Sequence, residues 1–249
     1  GLAVILVGDD RASRLYVSLK EKKAREIGFY FEKHLFPAGT KTEEIINLIK
    51  SFNDRSDIHG ILVQLPLPAH VDASTVIANI STSKDADGFH EETIKKFLGG
   101  DEKSMPVFPQ AIVEMIKESG VSFVNKKAVL VVNSVLFGSV LKKVLEKYGL
   151  VVRVVQSAEI TKDTNLLKEA DVVVTTIGKN GIITGDMVKQ GSLIIDGGTS
   201  GLEGKTVGDI DVQSMENLDV ILTPVPGGVG PITVACLLRN VVRLTGIAL

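Results

Sequence analysis

The chain has a single cysteine, Cys236, in 249 residues. No internal disulfide can form, so the fold must rest on its core, and a reducing compartment suits it. Cys236 lies in the apolar run Thr233-Val234-Ala235-Cys236-Leu237-Leu238, where a buried core role is expected. Long apolar runs are missing too. Stretches such as Ala128 to Val132 and Val172 to Val174 fall far short of the roughly 20 residues that a membrane-spanning helix needs. No leader-like segment precedes the first strand-like run, so a cytoplasmic protein without a membrane partner is expected. Nor does one sign of charge dominate: 28 Lys and Arg stand against 30 Asp and Glu, a formal net charge of -2. There is no basic field for nucleic acid to bind.

Familiar site motifs are also absent. No G-x-G-x-x-G follows a strand-like run, and the sequence has no G-x-S-x-G, no H-E-x-x-H and no C-x-x-C. The segment Gly201-Leu202-Glu203-Gly204-Lys205-Thr206 ends like a phosphate-binding loop, but Thr199 stands where that motif requires glycine. His34, His59, His70 and His90 have no metal-ligand spacing and read as surface or turn residues, so no metal is expected.

What the chain does have is alternation. Short β-branched runs, Leu2 to Val7, Tyr30 to Leu35, Gly60 to Gln64, Ala128 to Val132, Val151 to Val155, Val172 to Thr176, Leu193 to Asp196 and Val220 to Leu222, are read as strands. Between them, helical periodicity runs from Ser13 to Ile27, Thr42 to Asn53, Ala73 to Ile80, Pro109 to Ser119, Ser134 to Tyr148, Thr164 to Ala170 and Pro231 to Leu244. This is the pattern of parallel strands joined by crossover helices, an α/β fold. A polar, loop-rich stretch from Ser81 to Pro109 interrupts the strand series, which predicts two α/β domains with a boundary near Val121.

Within the first predicted helix, Tyr16, Val17, Lys20, Ala24 and Ile27 fall on one stripe, because an α-helix turns about 100° per residue. Lys20 would then face inward, where desolvation lowers a lysine's pKa toward the range useful for proton transfer near neutrality. Leu15 and Leu19 mark a second apolar face, and on that reading Lys20 only runs its stem along a groove. Ligands of open parallel sheets sit at the carboxyl ends of strands, so the loops there deserve scrutiny. Gln64-Leu65-Pro66-Leu67-Pro68 places an amide, both donor and acceptor, at a strand end. Lys84-Asp85-Ala86-Asp87-Gly88-Phe89 reads by itself as a turn. Thr223-Pro224-Val225-Pro226-Gly227-Gly228-Val229-Gly230-Pro231 is too rich in proline and glycine for an ordinary connection, and such a backbone can approach a flat ligand.

Together these segments, with Tyr16-Val17-Ser18-Leu19-Lys20-Glu21-Lys22-Lys23-Ala24, resemble the bifunctional methylenetetrahydrofolate dehydrogenase/methenyltetrahydrofolate cyclohydrolase family. The resemblance runs in order along nearly the whole chain. It implies a catalytic domain over residues 1–120, completed by a C-terminal helix in 231–249, and a Rossmann-type NAD(P)-binding domain over 121–230, with a cleft between them. It implies oxidation of 5,10-methylenetetrahydrofolate to 5,10-methenyltetrahydrofolate with NADP, then hydrolysis to 10-formyltetrahydrofolate, in a homodimer. By the same resemblance Lys20 is the central catalytic group, Tyr16 stacks on the folate, Gln64 holds the lysine and Asp87 binds the pterin. Val63, Leu65, Pro226, Gly227, Gly228, Gly230, Pro231 and Thr233 would complete the folate site, and Asn133, Ser134, Gly138, Ser157, Gly178 and Thr199 the cofactor site.

The departures from the family pattern gather in the cofactor half. Where the family has Gly-Arg-Ser-x-x-Val-Gly-x-Pro, this chain has Val132, Asn133, Ser134, Val135, Leu136, Phe137, Gly138, Ser139 and Val140. Valine for the first glycine is expected to put a side chain where backbone should meet the cofactor, and the arginine's charge is lost. The family's Cys-His-Ser corresponds to Val155-Gln156-Ser157, its Asp-x-Gly-Ile-Asn to Asp196-Gly197-Gly198-Thr199-Ser200, and its Pro-Cys-Thr-Pro to Pro106-Val107-Phe108-Pro109. The family's N-terminal arm has no counterpart, as in a truncated chain. These changes favour hydrolysis over dehydrogenation and leave NAD, or no cofactor, as alternatives to NADP. The competing reading is a non-catalytic folate-binding or partner subunit with a decayed cofactor site.

Overall fold

The computed structural model describes residues 1–202 and 205–247. Its elements follow the chain as β1 (Leu2–Val7), α1 (Arg11–Glu26), β2 (Phe31–Phe36), α2 (Thr42–Asn53), β3 (Gly60–Val63), α3 (Ala73–Ile77) and α4 (Glu91–Leu98). Then come α5 (Val107–Ser119), β4 (Lys127–Val132), α6 (Val135–Lys147), β5 (Val151–Gln156), α7 (Ser157–Ile160), β6 (Val172–Thr176) and β7 (Leu193–Asp196). Last are β8 (Ser200–Leu202), β9 (Lys205–Val207), β10 (Ile221–Leu222) and α8 (Val229–Leu244). The chain divides into two compact units, Gly1–Val107 with the segment from Val234 onward, and Phe108–Thr233.

The first unit is built on a parallel sheet in the order β2-β1-β3. All six residues of β1 are buried, as a central parallel strand covered on both faces requires. The edge strand β2 alternates instead, with Phe31 buried and Lys33 exposed. Helix α2 places Ile45, Ile49 and Phe52 on one face, and these join Ala3, Ile5, Val7, Ile61 and Val63 in one core cluster. Helix α4 arises inside the stretch expected to be loop. His90 caps it by accepting from the Glu92 N–H, and Ile94 and Phe97 bury themselves below an exposed Lys95-Lys96 pair. Of the segment expected to complete this unit, Ala248 and Leu249 lie outside the described residues.

The second unit has a five-stranded parallel sheet in the order β10-β7-β6-β4-β5. Counted within the unit, from the other edge, that is 2-1-3-4-5, a doubly wound order whose switch point lies between β4 and β6. Val129, Val131, Val173 and Ile194 pack with Leu167, Ile183, Met187 and Ile210 on one face of it. Helix α5 groups with this unit from Phe108 on, ahead of the expected boundary at Val121. The cause is side-chain contact: the Phe108 ring meets Phe137 edge-on at 4.7 Å, and Lys117 Nζ lies 5.6 Å from the centre of the Tyr148 ring. One more expectation changes, and one further element was not expected. Thr164 to Ala170 forms only a 3-10 turn over Thr164–Leu167, and β8 pairs with β9 as an antiparallel ribbon. That ribbon contains the segment resembling a phosphate loop, whose Glu203 and Gly204 lie outside the described residues.

Candidate active site

In the first unit the site begins at α1. Asp10 caps the helix by accepting from the Ser13 N–H at 2.7 Å, and the helix buries Ser13, Val17 and Ala24. Leu15 and Leu19 are 40% and 42% exposed, so the second apolar face looks to solvent, and Ile27, expected on the inward stripe, is 60% exposed just past the last turn. Lys20 is half-buried between these faces, with Tyr16 half-buried one turn earlier. Its Nζ donates to Gln64 Oε1 at 2.8 Å. Gln64 N–H bonds Ile5 O at 2.8 Å, one residue beyond β3, and Gln64 Nε2 donates to Leu65 O at 2.7 Å. With its nitrogen taken by a carbonyl, the amide can offer only its oxygen to the ammonium.

Asp87 is held by its backbone and by its neighbours. Ile61 N–H bonds Lys84 O at 2.7 Å and Ala86 N–H bonds Ile61 O at 3.3 Å, which pins the loop along β3. The Asp85 carboxylate, buried, accepts from the N–H groups of Gly88 at 3.0 Å and His90 at 2.9 Å. Val107 N–H bonds Asp87 O at 2.9 Å. Gly88 adopts φ +79°, and a Cβ there would lie 2.7 Å from Pro106 Cα, so only glycine closes this turn. The turn is therefore the work of Asp85 and Gly88. The Asp87 carboxylate has no hydrogen-bond partner among the described residues and stays available.

Electrostatics link the two charged groups. Desolvation lowers the Lys20 pKa, and the nearby Asp87 charge partly restores it. Desolvation pushes Asp87 up to about 6, against the pull of Lys20 and with a small push from Asp85. Protein atoms crowd both charged ends while each side chain keeps an edge toward solvent. A lysine with a lowered pKa beside a carboxyl that titrates near neutrality can take up and release protons.

Val63 closes β3 as a buried residue, and Leu65 is half-buried beside Gln64. Pro226, Gly227, Gly228, Gly230, Pro231 and Thr233 belong to the second unit. There Gly227 has φ +110°, a Cβ on Gly228 would meet Pro224 O at 2.5 Å, and Thr233 Oγ1 donates to Gly230 O at 2.7 Å, so this loop is tightly wound.

Of the expected cofactor residues, Asn133, Ser134, Ser157 and Gly178 follow the carboxyl ends of β4, β5 and β6, Thr199 follows β7, and Gly138 lies within α6. Asn133 Nδ2 donates to Ile177 O at 3.0 Å across the switch point, and Ser157 Oγ donates to Asn133 Oδ1 at 2.7 Å. Ser134 caps α6 by accepting from the Phe137 N–H at 3.3 Å. The N–H groups of Val135 and Leu136 lie ahead of the first helical bond, Gly138 N–H to Ser134 O at 3.0 Å, in the position from which helix N-termini can meet anions. Val132 does not obstruct this place. It is fully buried, and a Cβ on Gly138 would touch its Cγ2 at 2.8 Å and Val154 Cγ1 at 2.9 Å. The valine thus fills space beneath α6 rather than the space above the turn, contrary to the expectation from sequence. Gly178 has φ +75°, and a Cβ there would lie 3.2 Å from the carbonyl of Thr199, so the loops after β6 and β7 run close together.

Sequence reasoning missed Asp209, which organises these loops. Buried without exposure, it accepts from Thr175 Oγ1 at 2.6 Å and from the N–H groups of Ile177 at 2.7 Å and Lys179 at 2.8 Å. Its own N–H donates to Asp196 Oδ2 at 2.9 Å, and Asp196 also accepts from the Gly198 and Ile210 N–H groups. Desolvation raises Asp196 to about 6 despite these donors. The signal was there in Gly208-Asp209-Ile210-Asp211, a second acidic turn facing the first, but no spacing rule announces it. Among the described residues no group of three or more His, Cys, Asp or Glu could hold a metal, and no helix is long and apolar enough to cross a membrane.

Comparison with known proteins agrees with this geometry. Residues 1–87 match the model of the tetrahydrofolate dehydrogenase/cyclohydrolase catalytic domain, and residues 106–248 that of the same family's NAD(P)-binding domain. Bifunctional protein FolD of Campylobacter hominis is 40% identical, the match covering 97% of this chain and 85% of the relative. The crystal structure of bifunctional FolD from Campylobacter jejuni is 36% identical with a TM-score of 0.85, covering 98% of this chain and 87% of that one. The Trypanosoma brucei enzyme, solved with NADP and an inhibitor, is 31% identical with a TM-score of 0.87, over 99% of this chain and 86% of that one. With both units matched in order along the chain, this protein belongs to the tetrahydrofolate dehydrogenase/cyclohydrolase family.

Proposed function

We propose that the chain oxidises 5,10-methylenetetrahydrofolate with NADP and hydrolyses the 5,10-methenyltetrahydrofolate product to 10-formyltetrahydrofolate, with Lys20 at the centre of both steps. The observation that carries the reading is the Lys20 Nζ to Gln64 Oε1 bond at 2.8 Å beside the unpaired Asp87 carboxylate. Gln64 holds the amine in one place, and Tyr16 supplies an aromatic face for the folate from the preceding turn of α1. Asp87 accepts two hydrogen bonds from the pterin's ring N–H and amino group, a geometry that suits a carboxylate.

In the hydrolytic step, Lys20 in its neutral form takes a proton from the water that attacks the cationic methenyl carbon. The carbon–N5 bond then breaks as Lys20 returns that proton to N5, and the hydroxyl on the former bridge carbon gives its proton to solvent water to become the formyl carbonyl. The lowered pKa of Lys20 keeps the neutral amine accessible for the first transfer, and Asp87 keeps the ammonium stable enough to persist until the second.

Asn133, Ser134, Gly138, Ser157, Gly178 and Thr199 would hold the dinucleotide, with the first turn of α6 toward its phosphates. When bound, the nicotinamide supplies the hydride acceptor for the one-carbon bridge. The chain's own part in that step is to align the two carbons and exclude water. The non-catalytic alternative is not favoured, since Lys20, Gln64 and Asp87 keep a working geometry and Val132 leaves the turn clear. A cytoplasmic homodimer is part of the same reading.

The test is direct. The purified chain should bleach methenyltetrahydrofolate absorbance, and should reduce NADP in the presence of methylenetetrahydrofolate, with NADP binding tighter than NAD by calorimetry. Absence of both activities would overturn the proposal; hydrolysis without any dinucleotide binding would overturn its dehydrogenase half.

A further inference from the structure

Behind the loop that carries Asp87, the first unit contains a cavity of about 50 Å³ unrelated to the Lys20 site. Its lining combines Lys96 of α4, Lys103 and Ser104 of the 3-10 turn, and Asn240 and Arg243 of α8, with Thr93, Asp85 and Gly88. That volume is several times the roughly 10–15 Å³ that one water needs.

Three features give the cavity a chemical identity. Lys96, Lys103 and Arg243 line it together, yet among the described residues none of them forms an ion pair; Arg243 reaches the neutral Asn240 Oδ1, at 3.5 Å. The one carboxylate in the lining, Asp85, has both oxygens taken by the N–H groups of Gly88 and His90, so it balances at most one of three positive charges. Thr93 is only 7% exposed, and its hydroxyl lies beside the Asp85 carboxylate, whose charged form it favours. Donors outnumber acceptors, the net charge of the lining is positive, and the space is small. A divalent cation would be repelled, and a purely apolar ligand would strand the donors.

We propose that this cavity binds a phosphate-class oxyanion, whether free phosphate or the head of a phosphomonoester. Lys103 and Arg243 approach it from two different elements, and Lys96 adds charge. The occupant would tie α4, the Glu102–Ser104 turn and α8 to the Asp85–Gly88 turn, and so brace the backbone on which Asp87 sits. This inference does not depend on the folate reading, because its first readout is anion binding alone.

Isothermal calorimetry with inorganic phosphate on the whole chain, at constant ionic strength set by chloride, tests it. The expected result is saturable one-to-one binding that weakens at least tenfold in the Lys103→Gln/Arg243→Gln double variant. The single variant Lys103→Gln, at an exposed position, should weaken it by an intermediate factor. Methyl phosphate in place of phosphate separates the sources: equal binding assigns the site to phosphomonoester heads, and loss on methylation assigns it to free phosphate. No saturable binding through the millimolar range, or the same affinity in Lys103→Gln as in the unaltered chain, would overturn the proposal.

Discussion

Folate affinity should fall as the medium is acidified through about pH 6, because the Asp87 carboxyl is held near that value by desolvation. With a pKa of about 6, roughly 97% of Asp87 is ionised at pH 7.5 and roughly 10% at pH 5, so an interaction that needs the carboxylate should weaken about tenfold across that interval. Replacing Asp87 with Asn removes the charge but keeps one acceptor. Since hydrogen bonds to charged groups contribute about 1.5–3 kcal/mol, the variant should bind a non-reacting reduced folate about tenfold or more weakly at pH 7.5, with little further loss at pH 5. A second arm isolates the partner's charge: Lys20 pulls the Asp87 pKa down, so Lys20→Met should move the midpoint of the binding curve to higher pH. Fluorescence titration of the folate at a series of pH values measures all three curves. An affinity that stays flat from pH 7.5 to 5 in the unaltered chain, or a midpoint that moves to lower pH in Lys20→Met, would refute the assignment of Asp87 to the pterin and its coupling to Lys20.

In the second unit, Gly138→Ala places a Cβ 2.8 Å from Val132 Cγ2 and 2.9 Å from Val154 Cγ1, and overpacking of this kind costs about 1–3 kcal/mol, visible as a lower denaturant midpoint for that unit. Asn133→Ala breaks the bonds to Ile177 O and Ser157 Oγ; NADP affinity by calorimetry should drop severalfold while methenyl hydrolysis persists, and equal loss of both would contradict the separation of the two sites. Asp196 ties stability to pH. Its folded-state pKa of about 6 lies above the unfolded value of about 3.9, so the stabilisation it gives is complete below the unfolded value and is lost as pH rises through 6. About two pH units correspond to an upper figure of about 3 kcal/mol. Urea midpoints should therefore decline between about pH 4 and about pH 6 and level off above it, and Asp196→Asn should flatten that decline; an unchanged slope in the variant would remove Asp196 from the account.

Much of the fold was legible because strand burial leaves a plain trace. The runs Leu2–Val7, Val172–Thr176 and Leu193–Asp196 are apolar without alternation, as central parallel strands must be, and their limits in the structure match those read from the chain. Helix α4 was not legible. It buries only a few side chains, and its cap is a histidine, a residue that the usual capping rules do not favour. The division of the chain at Phe108 was hidden for a related reason, since Phe108 meets Phe137 only once the chain has folded. At the site, the stripe on α1 suggested an inward Lys20, but only the Gln64 amide, 44 residues away, shows where its amine is held. Val132 taught the opposite lesson. A motif position suggested obstruction, and the direction of one buried side chain removed it.

The central claim is that the amine of Lys20 moves the proton in hydrolysis. The most direct measurement is the decay of methenyltetrahydrofolate absorbance catalysed by the unaltered chain and by Lys20→Met, which keeps the stem and removes the amine. Acid–base assistance by a side chain contributes roughly 10²–10⁴-fold, so the variant's kcat should fall by about that factor while reduced folate still binds. A variant that hydrolyses at the unaltered rate would contradict the account.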